Sequence, residues 1–166
     1  MNPAWLSFCL LFALNAQAHR EHKAHAHGQA QLTMAFDQIQ GSAEFETPAE
    51  AIVGFEHEAK SAKDLQRKQE AFLKFEKDFP QMLKLDPALK CQFHTDSIEM
   101  KTEGGGHADF VASFKIQCEK SPLGTALTLD FSSYKGLKMV KATILAGTIQ
   151  KSVDVKSKPV RVELKP

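Results

Sequence analysis

Seven histidines carry most of the chemistry open to this 166-residue sequence. Four of them, His19, His22, His25 and His27, fall within nine consecutive positions. Neutral imidazole is a borderline-soft donor that suits zinc, copper and nickel, and several imidazoles on a pliable segment adopt whatever geometry the ion prefers. Density alone therefore points to a metal ion and leaves Zn2+, Cu2+ and Ni2+ open. A free amine at His19 together with its ring would chelate Cu2+, and processing one residue later would expose Arg20-Glu21-His22 as a terminal copper or nickel chelate. No methionine cluster of the kind copper(I) favours is present.

The other three histidines stand apart, each near an acid. His57 follows Glu56, His94 lies two before Asp96, and His107 lies two before Asp109. Residues two apart on a strand share a face, so His-x-Asp can set an imidazole beside a carboxylate, as two ligands or as a ligand with the group that orients it. His107 is the stronger candidate of the strand pair. It stands beside Glu103-Gly104-Gly105-Gly106, a turn that a His-rich tail can reach, whereas His94 reads as an exposed strand residue at the other end of the same hairpin.

Motifs for catalysis are missing: the sequence has no His-Glu-x-x-His, no Gly-x-Ser-x-Gly, no phosphate loop and no dinucleotide fingerprint. A catalytic zinc also needs ligands on rigid elements, and the main histidine cluster falls on a segment without apolar periodicity. The expectation is a binding protein, not an enzyme. Basic and acidic side chains, 21 and 20, balance to a formal charge of +1 and alternate closely, so no clustered positive surface for nucleic acid is expected.

Positioning these residues falls to the rest of the chain. An apolar run from Ala4 to Leu14 followed by Ala16-Gln17-Ala18 reads as a cleavable secretion signal over 1–18, which places the mature protein in the bacterial periplasm. Residues 19–28 are then expected to form a mobile His-rich tail and 29–166 a single metal-binding α+β domain. Removal of the signal leaves Cys91 and Cys118, an even number in an oxidising compartment, and both lie equally far from the Gly104-Gly105 centre. Folding the chain there opposes them across an antiparallel ladder, and the resulting disulfide is worth on the order of 3 kcal/mol.

Alternating apolar residues mark the strands. Ala30, Leu32, Met34 and Phe36 resume at Ala43 and Phe45 after a turn, giving one hairpin, and the cysteine-bearing segments give a second. Further alternation runs from Leu127 to Phe131, from Leu137 to Leu145, from Ile149 to Val155 and from Val160 to Leu164. Gly54 predicts a bend, Ser61 with Asp64 predicts a helix cap, and Leu65, Phe72, Phe75 and Phe79 predict a core stripe on a helix stopped by Pro80. The predicted class is α+β: an antiparallel sheet of hairpins packed with one principal amphipathic helix.

In this order, these segments resemble the ZrgA-like family of periplasmic zinc-uptake proteins. The pieces are His22-Lys23-Ala24-His25-Ala26-His27-Gly28-Gln29-Ala30-Gln31-Leu32, then Pro48 and Val53-Gly54-Phe55-Glu56-His57, then Cys91, then His107-Ala108-Asp109-Phe110 through Phe114 to Cys118, and finally Phe131, Leu137 and Gln150. The resemblance implies a zinc-binding component without catalytic activity that works with an inner-membrane zinc transporter. It makes His25, His27, His57 and His107 the preferred ligands, with His22, Glu56 and Asp109 as further candidates. Family members commonly carry a long His- and Asp-rich loop between the cysteine-bearing strands, where this chain has Glu103-Gly104-Gly105-Gly106, which implies fewer bound ions. The competing expectation is an envelope docking module in which the histidines are incidental.

Overall fold

Side chains that alternate between buried and exposed define most of the architecture. The computed structural model describes residues 27–102 and 106–165; the expected leader and most of the His-rich tail, with His22 and His25, lie outside them. Strand β1 (Gln29–Asp37) buries Ala30, Leu32, Met34 and Phe36, and β2 (Gln40–Pro48) buries Ala43, Phe45 and Thr47. They pair antiparallel with Leu32 opposite Phe45, the hairpin that the alternation predicts. After β2 come a single-turn helix α1 (Glu50–Val53), the long helix α2 (Ala62–Met82) and a short strand β3 (Leu83–Leu85).

The second predicted hairpin is β4 (Gln92–Thr102) and β5 (Ala108–Gln117), stapled at its open end by the Cys91–Cys118 disulfide. Near the turn, Thr102 opposes Ala108, a pairing centred on residue 105. A bulge between Thr95 and Ser97 then absorbs one residue, so Gln92 opposes Gln117 and the cysteines follow in that shifted register. The equal spacing of the cysteines from the Gly104-Gly105 centre thus holds because the bulge compensates for the turn.

Four further strands complete the described fold: β6 (Ala126–Leu129), β7 (Met139–Ala146), β8 (Ile149–Val155) and β9 (Val160–Glu163). The class is α+β, but the strands divide into two sheets, one ordered β4-β5-β2-β1-β7-β8 and one ordered β3-β6-β9. Strand pairing among the described residues is antiparallel, as expected, except at the central contact β1·β7, which is parallel with Ala30 opposite Val140 and Met34 opposite Ile144. Periodicity identifies a strand by its buried face and is blind to its partner. Short turns force the hairpin neighbours to be antiparallel, whereas the long stretch between β1 and β7 leaves their direction to packing.

Helix α2 begins as predicted. The Ser61 hydroxyl accepts from the Asp64 amide at 3.1 Å and donates to its carboxylate at 2.6 Å. Two features of the expected helix are corrected. Leu65 is exposed: the buried residues of α2 are Phe75, Phe79 and Met82 in its second half, with Phe72 half-buried. Pro80 does not stop the helix, which runs to Met82. Proline costs an interior helix a hydrogen bond and a clash with the turn before it. Here it lies within the last turn, and burial of Phe79 and Met82 on either side of it offsets that loss.

The core between α2 and the larger sheet is aromatic. Phe79 stacks on Phe114 with ring centroids 4.1 Å apart, Phe75 meets the edge of Phe110 at 4.7 Å, and Phe45 contacts both Phe75 and Phe131. Tyr134 closes this layer at the helix, its hydroxyl donating to Asp78 at 3.2 Å, and burial pushes its phenol well above the ordinary tyrosine value. No helix among the described residues is long and apolar enough to cross a membrane.

Candidate metal centre

Three chain segments meet at the end of the larger sheet where β1 begins, β2 ends and β5 begins. His27 lies just before β1, and its position follows from Gly28. That glycine takes φ 77°, and its carbonyl accepts from the amides of Lys138 and Met139 at 2.7 and 3.1 Å, clamping the start of β1 to the loop before β7. A Cβ at Gly28 would stand 2.7 Å from Lys138 Cγ, so only glycine fits there without a shift. The buried Thr47 hydroxyl donates to the Gln29 carbonyl at 3.0 Å and fixes the other flank.

Glu50 and Glu56 arrive on either side of the turn after β2. Ala49 donates its amide to the Ala108 carbonyl at 2.9 Å, which ties α1 to the start of β5. Glu50 opens α1, and Gly54 ends it in the left-handed region at φ 86°, its amide bonded to the Glu50 carbonyl at 3.0 Å. Phe55 is then driven into the core, Glu56 turns back toward the sheet end with its side chain 14% exposed, and His57 turns away. The loop before β7 braces this arrangement from behind, since a Cβ at Gly136 would stand 2.4 Å from the Ala51 carbonyl oxygen.

His27 Nδ1 lies 3.1 Å from Glu50 Oε2 and 3.4 Å from Glu56 Oε1. His107 Nδ1 lies 2.6 Å from the other oxygen of Glu56. One donor atom from each of His27, Glu50 and Glu56 falls within 4.8 Å of the other two, a spacing that can hold a cation. Beside them, His27, Pro48, Glu56, His107, Ala108 and Asp109 line a pocket of about 210 Å³, with Asp109 only 4% exposed. Nitrogen with carboxylate oxygen is a donor set that zinc accepts, with three protein atoms leaving a fourth position open.

Of the residues singled out in the sequence, the structure gathers His27, Glu56, His107 and Asp109 here. It does not bring His57 to them: the ring stacks on Phe55 at a centroid distance of 4.7 Å, and Nε2 lies 3.5 Å from Asp64 at the start of α2. The Ser61 hydroxyl holds the Asp64 carboxyl below its ordinary value; some loss of hydration works against that, and His57 adds to the lowering. His94 opposes Lys115, far along the hairpin from His107, and Asp96 accepts from the Lys115 ammonium at 2.7 Å. Glu50 was missed. Its only sequence signal is an acid directly after Thr47-Pro48-Ala49, where a strand gives way to a helical turn.

A larger open cleft, about 590 Å³, lies against the smaller sheet, between Lys84, Asp86, Arg161, Glu163 and Lys165. Its cations are matched by acids, with Lys84 on Asp130 at 3.3 Å and Arg161 on Glu163 at 2.9 Å, and it holds no histidine. Of these two pockets, the smaller is the one that combines histidine with carboxylate.

A family profile described as ZrgA family zinc uptake protein matches residues 24–164. The chain belongs to this family. The match begins just before His27 and ends at Leu164, so it takes in every residue of the His-Glu cluster and both cysteines. A family of zinc uptake proteins fits the nitrogen and oxygen donors gathered at the sheet end. Comparison with curated proteins found no match.

Proposed function

We propose that this is an exported protein of the bacterial periplasm that captures Zn2+ and assists its uptake by a partner transport system of the inner membrane, without catalysing a reaction. The observation that carries this reading is the convergence of His27, Glu50 and Glu56 from separate chain segments to within 4.8 Å of one another. The apolar Ala4 to Leu14 run with Ala16-Gln17-Ala18, and a disulfide that persists in oxidising compartments, support export.

Capture with onward transfer is favoured over catalysis by exposure. Three protein ligands and an open position also describe catalytic zinc, but a catalytic ion works in a dry, shaped cavity. Here the side chains of His27 and Glu50 are 70% and 58% exposed. An ion held there stays within reach of incoming donors, and exchange of donors is what passing a cargo onward requires.

The test is metal retention by the mature protein. Zinc titrated calorimetrically should bind with defined stoichiometry, remain after desalting by elemental analysis, and be weakened by His27→Ala and by Glu56→Gln. Cells lacking the protein should accumulate less zinc under restriction, and the Glu56→Gln variant should fail to restore it. A desalted protein that retains no zinc, or one whose binding neither substitution changes, overturns the reading. Cu2+ and Ni2+, which accept the same donors, are compared in the same titration.

A further inference from the structure

Resting on the zinc-site reading above, we infer that His107 is a positioning residue that holds Glu56 in place for the ion, and is not itself a ligand. The argument is one of separations. Two donors on one tetrahedral zinc, each at about 2.0–2.2 Å, stand about 3.3–3.5 Å apart. His27 Nδ1 meets that spacing with Glu56 Oε1 at 3.4 Å and lies just inside it from Glu50 Oε2 at 3.1 Å, a hydrogen-bond distance that a small outward shift would convert to ligand spacing. The His107 contact with Glu56 Oε2 is 2.6 Å, too short for two atoms sharing an ion and ordinary for a charge-assisted hydrogen bond.

The chemistry of that contact fixes the tautomer. A carboxylate only accepts, so His107 Nδ1 carries the hydrogen and donates it, which leaves the ring's lone pair on Nε2; with either ring nitrogen allowed, His107 still does not join the group formed by His27, Glu50 and Glu56. Glu56 is thereby divided between two tasks: Oε2 is occupied by His107, and Oε1 is left facing His27. A hydrogen-bonded partner of this kind orients a carboxylate ligand, and its loss typically weakens metal binding about 10–100-fold.

The test pairs calorimetry with X-ray absorption at the zinc edge, which counts bound imidazoles by their outer-atom scattering, on mature wild type, His27→Ala, His107→Ala and His107→Gln. The inference expects His107→Ala to bind zinc about 10–100-fold more weakly with its imidazole count unchanged. His107→Gln keeps an amide donor for Glu56 and should recover most of the affinity, while His27→Ala loses one imidazole. A count that falls by one in His107→Ala, or a second zinc equivalent that disappears with it, makes His107 a ligand and overturns the inference while leaving the zinc site standing. A His107→Gln protein as weak as His107→Ala also overturns it. Wild-type protein that holds no zinc overturns the underlying site instead, and the inference with it.

Discussion

The two ends of the β4–β5 hairpin were given opposite tasks. At the open end, Cys91 and Cys118 are joined covalently, and Cys118 is 3% exposed. At the turn end, His107 and Asp109 line the small pocket, and His107 donates a hydrogen bond to Glu56 across it. One end is cross-linked and the other leaves the His107 side chain exposed. Between them, Phe110 and Phe114 tie both to the aromatic layer under α2. The separation predicts that stability and the proposed metal binding can be altered independently, because the cysteines and the pocket residues are apart in space although they share two strands.

The strongest way to break the comparison is through the layer both ends share. Phe79→Ala removes a fully buried ring stacked on Phe114 and should cost about 3–5 kcal/mol, read by denaturant titration. Next, replacing Cys91 and Cys118 together by serine should cost about 3–4 kcal/mol for a loop of 27 residues, while zinc stoichiometry measured on the folded protein stays at its wild-type value. A loss of zinc binding in that folded double variant would show the two ends to be coupled.

Glu56→Gln works from the other end. It should reduce zinc affinity at least tenfold, about 1.4 kcal/mol of binding, and shift the denaturation midpoint little. The smallest expected effect lies outside both ends. Ser61→Ala should cost about 1 kcal/mol by removing the α2 cap without changing zinc affinity, since His57 and Asp64 stand away from the pocket. The sign with pH follows from the lowered Asp64 carboxyl: its contribution is present above the carboxylate range of the unfolded chain and is lost as pH falls through the folded value. The Ser61→Ala deficit should therefore shrink on acidification, measured by unfolding across a pH series.

Legibility in the sequence followed the range of the interaction. The β1–β2 and β4–β5 hairpins were readable because alternation and a turn are local, and the cysteine pairing because it inherits the hairpin's register. The parallel β1·β7 contact and the separate β3-β6-β9 sheet were not, since nothing in a strand's own pattern names a distant neighbour. Leu65 kept the helical period but lies in the half of α2 that buries no residue, which only the tertiary arrangement reveals. At the pocket, histidines drew attention by their rarity. Glu50 did not, because an exposed glutamate is the commonest kind of residue, and only the fold brings its carboxylate to His27.

The parallel neighbour of β1 also makes the position of His27 depend on a distant part of the chain. His27 is held through the Gly28 carbonyl by amides of Lys138 and Met139, which follow it by more than a hundred residues. A chain emerging from its N-terminus has no such clamp until β7 has been made, and closing so long a loop is the slow, entropically costly part of folding. A polypeptide cut short before Met139 would thus carry every candidate donor yet lack the strand that fixes the first of them.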